Sequence, residues 1–285
     1  MKNILITGAN GQLGNEMRVL SAENKDYAYF FTDVAELDIC NEQAVFDFVK
    51  ANDIHVIVNC AAYTAVDNAE DNIELCTKLN AEAVGYLAKA AEVHGAEFIQ
   101  ISTDYVFDGT AHIPYQETMQ TCPNSVYGNT KLAGERNALT LCSRAMVIRT
   151  AWLYSTFGNN FVKTMIRLGK ERDSLGVIFD QIGTPTYARD LARTIYTAIK
   201  HGVIPGVYHF SNEGVCSWYD FTKAIHRLAG VKGCNVKPLH TAEYPTKASR
   251  PHYSVLDKTK IKETYHIEIP YWMDSLQSCI SELEA

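Results

Sequence analysis

Five short apolar runs punctuate the first 150 residues: NILIT (3–7), YAYFFT (27–32), HVIVNC (55–60), EFIQIS (97–102) and RAMVIRT (144–150). They are continuously apolar rather than alternating, as strands buried on both faces are. Between them lie NEMRVLSAE, NEQAVFDFVKAN, LNAEAVGYLAKAAEVHG and YGNTKLAGERNALTL, which carry helical periodicity and supply the cover. This alternation predicts an α/β fold with a Rossmann-like, doubly wound parallel sheet. After residue 150 the rhythm loosens, with helices expected in FGNNFVKTMIRLGKERD, YARDLARTIYTAIKHG and SWYDFTKAIHRLAG and a strand in GVYHFS. We expect residues 1–151 to form the sheet domain. Residues 152–285 should form predominantly a smaller C-terminal lobe, with about 176–211 crossing back. Open α/β sheets take ligands beyond the carboxyl ends of their strands, so substrate is expected in the cleft between the lobes.

The stretch ITGANGQLG places Gly8, Gly11 and Gly14 between the first strand and the first helix. Glycines there allow a tight turn, let backbone N–H groups approach a pyrophosphate, and let the helix pack closely on the sheet. The pattern is G-x-x-G-x-x-G, and a plain strand-to-helix turn is the alternative. Asp33 closes the second strand, where a carboxylate accepts hydrogen bonds from an adenosine ribose and repels a 2′-phosphate, a lean towards NADH over NADPH. A helix-capping turn aspartate is the other reading. Asp38 and Ile39 are placed to flank an adenine, Asp38 being equally compatible with a solvated position. Small Ala61 and Ala62 end the third strand, where the backbone can run against a dinucleotide or simply pack.

The net charge of −7, with no basic run, argues against a reader of nucleic-acid backbones. Eight cysteines occur without paired spacing, so neither a zinc site nor a disulfide framework is expected. The opening MKNILITGANG is too short an apolar run for a signal peptide, and no stretch approaches a membrane span. These features point to a cytoplasmic protein with no membrane contact.

In SVYGNTKLAGE, Tyr127 and Lys131 stand four apart and share one helix face. A phenol of ordinary pKa about 10 needs a neighbouring positive charge to exchange protons near neutrality, and Lys131 is such a charge. A surface pair is the alternative. ISTDYVFDG, at the end of the fourth strand, brings the Ser102 and Thr103 hydroxyls to the same sheet edge. One hydroxyl can hold a carbonyl oxygen while the tyrosine protonates it, the arrangement for hydride reduction of a ketone.

Together the glycine loop, STDYVFDG and YGNTKLAGE resemble the extended short-chain dehydrogenase/reductase superfamily. VIVNCAAYTAVDNAE, RTAWLYSTFGNNFVKTM, DQIGTPTYARDLA and RPHYSVLD extend the likeness over essentially the whole chain, towards the branch that reduces dTDP-4-keto-sugars. The resemblance implies Thr103 as catalytic hydroxyl, Tyr127 as acid-base and Lys131 as orienting lysine. It implies NADPH or NADH held by Gly8, Gly11, Gln12, Leu13 and Gly14 at the pyrophosphate and by Asp33, Asp38 and Ile39 at the adenosine. Ala61, Ala62, Tyr63 and Thr64 would follow the nicotinamide half, with Tyr127 and Lys131 also among the contacts. A dTDP-sugar would meet Thr103, Asp104, Trp152, Asn160, Gln181 and Arg250, with Lys163 a further cation. Trp152 is alternatively a core residue, and Arg250 a surface ion pair.

Two departures from resembling enzymes matter. Some dimerise through a magnesium site of acidic side chains; Glu16 matches one position, but Arg189 stands where a second carboxylate would be, so no metal is expected and a homodimer must rest on other contacts. Dehydratases of this fold carry an acid after the Thr-Asp pair, whereas this chain has Tyr105, which favours simple ketone reduction over elimination. A rival from another class is a non-catalytic regulatory subunit of a methionine adenosyltransferase. Intact Thr103, Tyr127 and Lys131 argue against it.

Overall fold

In the computed structural model, which describes residues 1–284, the five apolar runs form β1 (Lys2–Thr7), β2 (Tyr27–Thr32), β3 (Val56–Asn59), β4 (Glu97–Thr103) and β5 (Ala145–Thr150). Short strands follow: β6 (Leu153–Tyr154), β7 (Ser174–Ile178), β8 (Ile182–Gly183), β9 (Thr186–Tyr187), β10 (Gly206–His209), β11 (Cys216–Ser217) and β12 (Asn235–Leu239). The central sheet runs β10-β5-β4-β3-β1-β2, and every pairing in it is parallel. The order reverses direction at β1 and β3, the crevice where such sheets bind ligands.

Alternate residues of each strand enter two different cores, which is why the runs had to be apolar throughout. Ile4, Ile6, Val58, Ile99 and Ile148 face α1 (Gln12–Ser21) and α8 (Ala188–His201). Leu5, Ile57, Phe98 and Val147 face α2 (Glu42–Ala51) and α5 (Ala83–His94). Between β3 and α5 the chain forms α3 (Val66–Ala69), α4 (Ile73–Thr77) and a π turn (Lys78–Glu82). Asn80 in that turn is buried, its amide binding both backbone N (2.9 Å) and O (3.1 Å) of Tyr63. α6 (Val126–Leu141) runs against the π turn because Gly134 has no Cβ to strike the Asn80 carbonyl.

A separate core gathers Tyr154, Val162, Tyr187, Phe221, Trp272 and Leu276. It lies among α7 (Phe161–Glu171), α9 (Trp218–Leu228) and α11 (Trp272–Glu284). The chain enters this lobe after β5 and leaves it at α8, which packs on α1. β10 then adds to the sheet beside β5, and α10 (Thr259–Tyr265) covers it with Ile261 and Tyr265 before α11 rejoins the small lobe. Among the described residues, no helix is long and apolar enough to cross a membrane.

Candidate active site

β4 ends by delivering Ser102, Thr103 and Asp104 to the sheet's carboxyl edge, all three buried. α6 starts opposite, capped by Ser125, whose hydroxyl accepts from Gly128 N at 3.1 Å. A Cβ on Gly128 would collide with the Tyr105 carbonyl, so glycine lets the first turn of α6 press on the segment after β4. That contact sets the Tyr127 phenol against the Thr103 hydroxyl. Burial raises the phenol's pKa above its ordinary value, with the neighbouring Thr103 hydroxyl opposing. Lys131, one turn on, is buried and donates to the Ile101 carbonyl at 2.6 Å. Burial pushes this lysine down to about 8, while the negative charge of Glu135 works the other way.

Thr103 Oγ1 donates to Asp104 Oδ1 at 2.9 Å and accepts from Tyr105 N at 3.2 Å. The second oxygen of Asp104 is buried without a hydrogen-bond partner among the described residues, and burial pushes its carboxyl up to about 6. Tyr105 places its ring edge-on to Tyr127 at 5.5 Å. Its hydroxyl accepts from Arg250 Nη1 at 2.9 Å, and Arg250 Nη2 binds Asp67 Oδ2 at 2.7 Å. Beside that pair, Lys247 binds Asp71 and Ala248 N donates to Asp67 Oδ1 at 3.1 Å. The segment 246–250 thus lies as a strap across α3.

The glycine loop forms a cradle that side chains would fill. Gly8 has φ +62°, and a Cβ there would sit 2.6 Å from Ala61 N; one on Gly14 would sit 2.5 Å from Ala9 Cα. Gly11 is the N-cap of α1 and offers no side-chain hydrogen bond, and the first turn carries no acidic residue, leaving the helix N-terminus suited to a phosphate. Leu13 is buried in the core, so only its backbone can serve a ligand. Asp33 accepts from Val34 N (2.9 Å) and Asn10 N (3.2 Å), which fixes its carboxylate beside the loop with lone pairs to spare. A cavity of about 80 Å³ is lined by Gly8, Asp33, Leu37, Asp38, Ile39 and Ala61. Asp38 is exposed there and Ile39 buried; Ala62, Tyr63 and Thr64 continue along the β3 end, with Thr64 exposed. A cradle closed to any Cβ, an uncapped helix start and a fixed carboxylate are what a dinucleotide requires.

The remaining candidates fall into two groups. Trp152 adopts φ +49° and stacks on Trp218 with centroids 3.5 Å apart, partly buried against both the small-lobe core and the Phe107 cluster. Gly183 is needed beneath it, since a Cβ would lie 2.7 Å from both Trp152 and Ser254. Asn160 caps α7, accepting from Lys163 N at 3.1 Å, and its amide donates to Gln12 Oε1 at 3.0 Å, linking the small lobe to the glycine loop. Gln181 is buried and donates to Thr241 Oγ1 at 3.2 Å, while Lys163 donates to the Gly158 carbonyl. Thr103, Asp104, Tyr105, Tyr127 and Arg250 are therefore in one contiguous cluster, and among the described residues no hydrogen bond joins Asn160 or Gln181 to it.

Sequence reasoning passed over Asp67, which anchors Arg250 from far along the chain and leaves no local signal. It also passed over Glu135, whose i+4 spacing from Lys131 was visible. Glu16 is buried, bound to Ser155 Oγ at 2.6 Å and to Arg189 Nε at 2.8 Å, and Arg189 also meets Glu282. A cation thus already occupies that carboxylate, and no metal-holding cluster of His, Cys, Asp or Glu exists among the described residues.

The family model for the RmlD substrate binding domain matches residues 1–285. The dTDP-4-dehydrorhamnose reductase of Aggregatibacter actinomycetemcomitans is 42% identical, covering 98% of this chain and 98% of its own. The crystal structure of a dTDP-4-dehydrorhamnose reductase from Clostridium acetobutylicum superposes with TM-score 0.95 at 46% identity, over 99% of this chain and 100% of that one. The Bacillus anthracis reductase, solved in complex with NADP, gives TM-score 0.95 at 41% identity with the same coverage. With likeness in sequence and in three dimensions running from end to end, the chain belongs to the dTDP-4-dehydrorhamnose reductase family of the extended short-chain dehydrogenases/reductases.

Proposed function

We propose that this protein reduces the C4 ketone of dTDP-4-dehydro-6-deoxy-L-mannose to give dTDP-L-rhamnose, using NADPH or NADH. The observation that carries this reading is that the Tyr127 phenol lies beside the Thr103 hydroxyl at the end of β4, one helical turn from buried Lys131. When bound, the reduced nicotinamide supplies the hydride. Gly8, Gly11, Gln12, Leu13 and Gly14 would hold the pyrophosphate, Asp33, Asp38 and Ile39 the adenosine, and Ala61, Ala62, Tyr63 and Thr64 the nicotinamide half.

Tyr127 donates its proton to the C4 oxygen, and Thr103 fixes that oxygen. Asp104 accepts the Thr103 hydrogen, so Thr103 reaches the ketone by turning that hydrogen away from the carboxylate or after Asp104 gains a proton. To Lys131, one turn along α6 and held by the Ile101 carbonyl, we assign the charge that makes loss of the phenolic proton cheaper. Tyr105 offers no carboxyl group to expel a hydroxyl, so the chemistry stops at reduction. Arg250 is suited to the substrate's diphosphate, and we assign Trp152, Asn160 and Gln181 to the substrate as well.

We assign the nucleotide to residues 1–151 together with the returning segment, about 176–211, and the sugar predominantly to 152–285. The eight free cysteines support a reducing, cytoplasmic setting. The test is to incubate purified protein with the 4-keto sugar and each reduced cofactor and to follow its absorbance. Oxidation matched by dTDP-rhamnose formation is expected. No oxidation of either cofactor would sink this reading.

A further inference from the structure

The motif SVYGNTKLAGE ends in Glu135, one helical turn past Lys131, and nothing in the reduction step uses it directly. This carboxylate is buried at 2% exposure. Its Oε1 accepts from Ser102 Oγ at 2.5 Å and from Arg149 Nε at 2.9 Å, and its Oε2 accepts from Arg149 Nη2 at 2.7 Å. Ser102 stands between Ile101, whose carbonyl holds Lys131, and Thr103. One carboxylate thus grips β4 between the two points that must be in register with α6, and grips β5 through Arg149.

We propose that Glu135 is a positioning residue acting through Lys131, its carboxylate supplying the negative charge that keeps the lysine an ammonium beneath the Ile101 carbonyl. This rests on the reductase reading above. The other titratable groups about Lys131 are the Tyr127 phenol, one turn back on α6, and the thiols of Cys76 on α4 and Cys60 just beyond β3. Cys60 is pushed up to about 12 by burial and so stays a neutral thiol, and Cys76 is hydrogen-bonded to Thr130 and Asn80. Facing Glu135 from the sheet is Arg149, and beyond it His209 on β10, which burial, with Arg149 adding to it, holds down at about 3 and therefore neutral. Among these groups Glu135 does most to keep Lys131 charged, ahead of Cys76 and Cys60. Replacing it with a neutral isostere must therefore favour the uncharged amine.

The experiment is an NMR titration of ε-carbon-labelled lysines in the full-length protein without substrate, with Lys131 assigned by loss of its signal in Lys131→Arg. In Glu135→Gln the Lys131 midpoint is expected to fall by about one pH unit. The high-pH limb of kcat should move down equally, with KM for the sugar little changed, and Glu135→Asp should restore both. An unmoved Lys131 midpoint in folded Glu135→Gln overturns the proposal, even if kcat drops, because a purely structural brace would lower kcat without shifting the titration. If Glu135→Gln does not fold, the double variant Glu135→Gln/Arg149→Met strands no charge and is measured the same way: a lowered midpoint supports the proposal and an unmoved one overturns it. A wild-type protein that fails to turn over the keto sugar counts against the reductase reading, whereas the titration decides the role of Glu135 on its own.

Discussion

Two seams hold the catalytic end of the molecule together, and they are built in opposite ways. Where α6 meets β4 and β5, the Glu135–Arg149 pair is 3% and 5% exposed and matched by further hydrogen bonds. Where the 246–250 strap meets α3, Arg250 and Asp67 are 25% and 40% exposed and Lys247 and Asp71 about 60%. A buried pair contributes little net stability but is very costly to break from one side, so it fixes a single geometry. Exposed pairs are worth about 0–1 kcal/mol and exchange partners easily. Reacting atoms need the first kind of seam and a passage for a bulky anion needs the second.

The widest separation between the seams should come from Tyr127→Phe, expected to cut turnover by about 10²–10⁴-fold while leaving cofactor affinity nearly unchanged. Steady-state rates with a fluorescence titration of the cofactor check it, and equal turnover would remove the tyrosine from the mechanism. Next, Arg149→Met leaves Glu135 charged and unpaired in the core and should lower unfolding free energy by about 3–5 kcal/mol, read by urea denaturation. A loss below about 1 kcal/mol would mean this seam is no firmer than the strap. Arg250→Ala should raise KM for the dTDP-sugar about tenfold, the scale of one charge-assisted contact, with a small effect on stability; an unchanged KM would return Arg250 to a purely structural pair with Asp67. Lys247→Ala, at the outermost contact, should change stability by less than about 1 kcal/mol and leave kcat untouched.

The parts of the fold legible in the chain are those with a strong local signal. β1 to β5 announce themselves because each is apolar on both faces, and α7, α8 and α9 through helical period. The two-residue strands β6, β8, β9 and β11 are too short for periodicity and exist only through tertiary pairing. α11 went unread although Trp272, Leu276, Cys279 and Ile280 mark one face, because nothing before it signalled that the small lobe needed a third helix. At the site, the four-residue spacing of Tyr127 and Lys131 is a local fact that α6 converts directly into a shared face. The Tyr105–Arg250 contact joins residues 145 positions apart and had no such signal. Asn160 entered as a substrate contact through the family resemblance, and its capping of α7 and its bond to Gln12, 148 positions away, likewise had no local signal.

The late arrival of β10 has a consequence for biogenesis. As the chain emerges during synthesis, β1 to β5 can assemble early, but β5 then presents a row of unpaired backbone groups until Gly206–His209 docks. Bare edges of this kind recruit other strands. The intervening small-lobe segment between β5 and β10 therefore sets how long the nascent protein stays adhesive, and α10 seals the border only once its own residues, Thr259–Tyr265, have been made.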